Sequence, residues 1–179
     1  MNVSVLFAMP SPWTFEIPPI RDFVVRHLYG AHVVVDPFCG HSRIATHRND
    51  LGLGGQDAEA FVRGLIADGV RADAVLFDPP YSPRQIAECY KSIGREATTE
   101  DTQNGALYKR VRAALADILK PDGVALSFGW QSAGFGKAWE TFDLLLVQHG
   151  GAHNDTICVA QRRKPNLFLG GGADREREP

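Results

Sequence analysis

The sequence predicts an α/β domain built on a doubly wound, mostly parallel sheet with a C-terminal antiparallel hairpin strand. Three observations carry that expectation. Short unbroken apolar runs, Val33–Val35, Ala74–Phe77 and Val124–Phe128, have the length and character of strands buried on both faces. Segments with apolar residues at helical spacing lie between them, as crossover helices require. Two further strand-like runs, Phe142–Gln148 and Thr156–Ala160, flank a glycine-containing loop over 149–155, which reads as a hairpin.

Residues 1–19 are punctuated by Pro10, Pro12, Pro18 and Pro19, carry Trp13 and Phe15, and are expected to form an ordered arm rather than a helix. Proline suits a first helical turn because that turn leaves its N–H groups unbonded. Pro18-Pro19 therefore opens a helix over Ile20–Tyr29, with Phe23, Val24 and Leu28 inward and Gly30 as its stop. The first strand, Val33–Val35, runs into Asp36-Pro37-Phe38-Cys39-Gly40. A short helix over Ser42–His47, or a short strand over Ala45–Asn49 leading to Asp50, follows; Leu51–Gly55 reads as loop. Asp57 precedes a helix over Ala58–Asp68 that places Phe61, Val62, Leu65 and Ile66 on one face. After Ala74–Phe77, helices are expected over Pro83–Ile93 and Ala106–Leu119, joined through a polar loop over Thr98–Gly105. Leu107, Val111, Leu115, Ile118 and Leu119 form the buried stripe of the second. Pro121-Asp122-Gly123 turns into Val124–Phe128, which ends at Gly129-Trp130. The chain shows no repeat and no second domain: residues 1–165 are read as one unit, and the glycine-rich, then charged, stretch 166–179 is expected to be disordered because it cannot bury a core face.

The chemistry concentrates at Asp78-Pro79-Pro80-Tyr81. Proline cannot donate to a sheet ladder, so the strand must end at Asp78. A carboxylate and an aromatic ring are thereby held on a stiff turn at a strand's carboxyl end, where open α/β sheets bind their ligands. Asp36 and Trp130 end two further strands, so all three fall on one edge of the sheet. An acceptor beside a flat ring suits a planar, amino-bearing substrate.

Asp36-Pro37-Phe38-Cys39-Gly40 followed by Asp78-Pro79-Pro80-Tyr81 resembles the amino-group DNA methyltransferases, which use S-adenosylmethionine to make N6-methyladenine or N4-methylcytosine on a Rossmann-like methyltransferase fold. The first segment resembles their DPFxG cofactor loop and the second their DPPY motif, over roughly residues 13–164. The resemblance implies that Asp78 and the Pro79 carbonyl accept the two amino hydrogens of a base, that Pro80 fixes the turn, and that Tyr81 stacks on a base lifted out of the duplex. It implies cofactor contacts from Asp36, Pro37, Phe38, Cys39 and Gly40, from Asp50 on the ribose hydroxyls, from Asp57 near the adenine amine, and from Phe15 in the upstream arm. Trp130 would wall the base pocket, and His149 and Asn154 lie in a loop expected on the same edge. The chain departs from the family where Gly40 continues into His41-Ser42-Arg43 instead of a second glycine, and the DPFxG wording is commoner in members with the reverse motif order.

Read without the resemblance, Asp57 is a helix cap, Phe38 is core filling and Cys39 is a small packed hydrophobe. The spacing of His149 and His153 would pair them on a metal only within a helix, so no metal is expected in this glycine-rich turn.

The net charge of −2 lacks the basic excess of a free-standing nucleic-acid binder, so any contact with DNA is expected to be weak and salt-sensitive, or helped by a recognition subunit or a second copy. No apolar run approaches the roughly 20 residues of a bilayer span. Three scattered cysteines and a start without a basic leader segment point to a reducing, cytoplasmic setting. Three functions remain open: methylation of a DNA base, with adenine N6 preferred from the resemblance; methylation of RNA or a smaller amine; and a catalytically idle cofactor-binding subunit.

Overall fold

The computed structural model describes residues 1–98, 102, 105–151 and 153–165. Among them are seven strands in one mixed sheet and four α-helices, an α/β fold. The strands are β1 (Asn2–Phe7), β2 (Val34–Asp36), β3 (His47–Arg48), β4 (Ala72–Phe77), β5 (Leu119–Gly129), β6 (Trp139–Gln148) and β7 (Thr156–Arg163). The helices are α1 (Pro18–His27), α2 (Ala58–Ala67), α3 (Pro83–Ser92) and α4 (Gly105–Ile118). Spatial order is β1-β6-β7-β5-β4-β2-β3, with only β7 antiparallel to its neighbours.

Helices cover both faces, as the alternation of runs predicts. On one side α1 buries Ile20, Phe23 and Val24 against Leu126, Phe128, Leu145 and Val147. On the other, α2 and α4 bury Val62, Val111, Leu115 and Ile118 against Val35, Val75 and Phe77. Among the described residues no helix is long and apolar enough to cross a membrane.

Three expectations need correction. The arm over 1–19 contains β1, which runs parallel to β6 in the register Asn2↔Asp143 to Phe7↔Gln148. Its side chains are almost all exposed, so it carries no buried run by which to be recognised. The expected C-terminal antiparallel hairpin strand is present as β7, paired with β6 and inserted between β5 and β6, while β1 takes the edge. No helix forms over Ser42–His47, because Thr46 pairs with β2 instead, its amide donating to the Val34 carbonyl and its hydroxyl bonding both the amide and the carbonyl of Val34. Pro121-Asp122-Gly123 lies within β5, where it shifts the register against β4 between Ala72 and Ala74. The loop over Thr98–Gly105 falls largely outside the described residues, and the tail 166–179 falls wholly outside them.

The path of the chain positions the site. From β2 it goes outward to β3, then returns through α2 to β4 on the other side of β2. The strand order reverses there, and an open α/β sheet leaves a crevice at such a point, outside the strands' carboxyl ends. Asp36 ends β2 and Asp78 follows β4, so the two carboxylates flank the crevice.

Candidate active site

Asp78 is half-buried just beyond β4. Its Oδ1 accepts a 3.0 Å hydrogen bond from the Tyr81 hydroxyl, and Thr14, in a 3-10 turn over Thr14–Glu16, bonds the same carboxylate. Burial raises the Asp78 pKa to about 6, against these two hydrogen bonds, which favour its charged form. Tyr81 is held well above the ordinary tyrosine pKa by burial and the neighbouring negative charge, so its hydroxyl keeps its proton. The Tyr81 ring lies on Gly129, where a Cβ would come within 2.6 Å of it, and Trp130 stands 6.1 Å away at a 38° tilt. Trp130 itself is 45% exposed.

The turn between these residues is held from outside. Tyr108, on α4, donates a 2.6 Å hydrogen bond to the Pro80 carbonyl, and Gln85 Oε1 accepts from the Tyr81 amide at 2.9 Å. Ser82 and Gln85 complete a capping box that starts α3 directly after the turn. Among the described residues, none donates to the Pro79 carbonyl.

Asp36 is fully buried. Its Oδ1 accepts from the Phe38 amide at 3.0 Å, whereas its Oδ2 has no partner among the described residues. Burial raises its pKa to about 8, and the charges of Asp78 and Asp50 add to the effect. A buried carboxylate with an unmet oxygen is costly, and a cationic donor would relieve it. Gly40, at φ +50°, turns the loop beneath the Trp13 ring, which a Cβ there would approach to 3.2 Å. The Gly40 amide donates to Asp50 Oδ2 at 2.9 Å, and Asp50 Oδ1 accepts from Gly52 at 2.8 Å. Beside them a polar cleft of about 480 Å³ opens among Cys39, Gly40, Arg48, Asn49, Asp50 and Gly55, within the usual size of small-molecule sites.

The structure brings Asp36, Gly40, Asp50, Asp78 and Tyr81 near one another and places each remaining candidate individually. Pro37 is buried, and Phe38 points into the core, meeting Phe77 and Tyr108 edge-on at 5.8 and 6.0 Å. The Cys39 thiol donates to the Gly40 carbonyl and is pushed up to about 11 by burial, which makes it a poor nucleophile at neutral pH. Exposed Asp57 caps α2 by accepting from the Ala60 amide at 3.0 Å. Phe15 is buried against Phe128 at 5.0 Å, so it anchors the arm from below.

His149 requires a firmer correction. It is 6% exposed, with Nδ1 2.9 Å from the Ala8 carbonyl and Nε2 3.0 Å from the Thr156 hydroxyl. A carbonyl only accepts, so Nδ1 donates to Ala8, and Nε2 shares a hydrogen bond with the Thr156 hydroxyl. Both ring nitrogens are spent on tying the end of β1 to the hairpin, which leaves no donor or acceptor for a substrate. Asn154 is exposed in the loop beyond. Among the described residues no three His, Cys, Asp or Glu side chains cluster as metal ligands would.

Thr14, Tyr108 and Gly129 belong to the site without being legible as such. Tyr108 had a faint signal: a hydroxyl on the apolar stripe of α4, where burial demands a partner. No family model matches the chain, and neither does any curated protein.

Proposed function

We propose that this protein transfers a methyl group from S-adenosylmethionine to an exocyclic amino group of a DNA base, with adenine N6 as the preferred target. The observation that carries the reading is the Asp78 turn: an ionisable carboxylate, a Pro79 backbone carbonyl with no donor among the described residues, and an aromatic ring, all at the reversal point of the sheet. The Rossmann-like methyltransferase arrangement belongs to the same proposal, supported by the doubly wound sheet and by helices on both faces.

The residues of the cofactor loop fit the group. An α-ammonium would supply the partner that Asp36 Oδ2 lacks. Asp50 spends one lone pair per oxygen on Gly40 and Gly52, which leaves acceptor capacity for ribose hydroxyls. Bound S-adenosylmethionine supplies an electrophilic methyl group on a sulfonium. Asp78 and the Pro79 carbonyl accept the two amino hydrogens, withdrawing the nitrogen lone pair from conjugation and directing it toward the methyl group. Asp78 would take the proton that the nitrogen sheds on methylation. Tyr81 and Trp130 offer ring faces to the base, and stacking of this kind contributes about 1–3 kcal/mol.

The test is methyl transfer from radiolabelled cofactor to duplex DNA, single-stranded DNA and RNA, with Asp78→Ala beside the wild type. Label in DNA that disappears in the variant supports the proposal. The net charge of −2 favours a second reading, in which RNA or a smaller amine is the acceptor; label confined to RNA would support it. Cofactor binding with no transfer to any acceptor would leave an idle binding subunit.

A further inference from the structure

The Pro80–Tyr81 peptide is clamped at both ends by residues outside the Asp78 turn. Its carbonyl accepts from Tyr108 at 2.6 Å, and its amide donates to Gln85 Oε1 at 2.9 Å. A peptide is planar, so fixing both its polar groups fixes the orientation of the whole unit. Two consequences follow for the groups on either side. The Pro79 carbonyl, one peptide earlier, can rotate only through the torsions of Pro80, whose φ the ring already locks. The Tyr81 side chain, one residue later, leaves from a fixed Cα and reaches Asp78 with its hydroxyl.

Tyr108 also contacts the other half of the crevice. Its ring meets Phe38, in the loop after β2, at 6.0 Å and 85°, and Phe77, the last residue of β4, at 6.1 Å and 85°. Phe38 and Phe77 meet one another at 5.8 Å and 80°. The three rings form an edge-to-face triangle, the geometry aromatic pairs prefer. One vertex belongs to the loop that carries Asp36 and Gly40, one to the strand that carries Asp78, and the third reaches Pro80 with its hydroxyl.

We propose that Tyr108 is a positioning residue: its hydroxyl holds the Pro80–Tyr81 peptide, and its ring ties that peptide to the Asp36–Gly40 loop, so that the two halves of the crevice keep one relative geometry. The effect on turnover rests on the methyl-transfer reading; the effect on the turn does not. A strained or loosened acceptor carbonyl costs rate out of proportion to the hydrogen bond lost, because transfer needs the amine held to within a fraction of an ångström.

Tyr108→Phe isolates the hydroxyl while keeping the ring triangle. Two measurements on the full chain test it. Amide hydrogen exchange at Tyr81 and Ser82 should quicken about tenfold in the variant, with the amides of α4 unchanged. In the transfer assay kcat should fall about tenfold, with the cofactor KM and the melting temperature little moved. Unchanged exchange at Tyr81 would overturn the proposal, as would quickened exchange with full kcat. If the wild type transfers no methyl group to any acceptor, the methyl-transfer reading fails, and the exchange comparison alone decides whether Tyr108 holds the turn.

Discussion

The Tyr81 hydroxyl donates to Asp78 Oδ1 at 3.0 Å from three residues further along the same turn. A donor to the charged form lowers a carboxylate's pKa, and burial acts against it, leaving Asp78 at about 6. In the proposed reaction Asp78 acts as an ionised acceptor, so kcat/KM should rise with pH through about 6. Tyr81→Phe removes one of the two hydrogen bonds that favour the carboxylate, and the acidic limb should move to higher pH. A pH profile of kcat/KM for both proteins checks this; an unmoved limb would assign the titration to another group.

Asp36 titrates at about 8 when folded, against an ordinary value of 3.8. Between those values the folded chain holds a proton that the unfolded chain has released. Stability therefore falls as pH rises through that window and is greatest below it. Asp78 contributes the same sign only up to about 6. The melting temperature of the protein without cofactor should drop between about pH 6 and 8, and Asp36→Asn should flatten that drop while weakening cofactor binding. Thermal melts in matched buffers are sufficient.

At Gly129 an added Cβ would stand 2.6 Å from the Tyr81 ring, which Asp78 anchors by its hydroxyl. The ring cannot retreat without breaking that hydrogen bond. Gly129→Ala should destabilise the fold by about 1–3 kcal/mol, the usual cost of overpacking, and reduce turnover tenfold or more. Denaturant unfolding and kinetics together would separate the two effects.

His149→Ala tests whether this imidazole is structural. Removing a buried ring with two hydrogen bonds should cost about 2–4 kcal/mol, exposing the Ala8 carbonyl and freeing β1. In the proposed methyl transfer, S-adenosylmethionine affinity and KM for DNA should change less than twofold at a temperature where the variant is folded. A large KM effect with little loss of stability would restore a substrate role.

The parts of the fold legible in the sequence are those where burial leaves a pattern. Ala74–Phe77 and the stripe of α4 are apolar because they face the core on every side the pattern predicts. The strand β1 is invisible by that criterion, since its side chains are exposed and its stability comes from ladder bonds to β6 and from Asn2 donating to Asp143 at 3.1 Å. The expected helix over Ser42–His47 lost to pairing with β2, a tertiary contact no local propensity records. At the site, Asp36 and Asp78 are legible because proline marks where their strands stop. Thr14, Tyr108 and Gly129 act through shape and reach across the fold. His149 misled because a loop histidine near a crevice looks available, and only its two buried partners show that it is not.

The pairing of β1 with β6 joins residues such as Asn2 and Asp143, separated by 141 positions. During synthesis the first strand has no partner until most of the chain has emerged, and loop closure over that distance is slow. The segment carrying Trp13 and Thr14 follows β1 directly, so its docking over Gly40 and Asp78 should be among the last events of folding. Nascent or truncated chains ending before β6 would hold the Asp78 turn without its cover, an assembly order that ties completion of the Asp78 site to completion of the sheet.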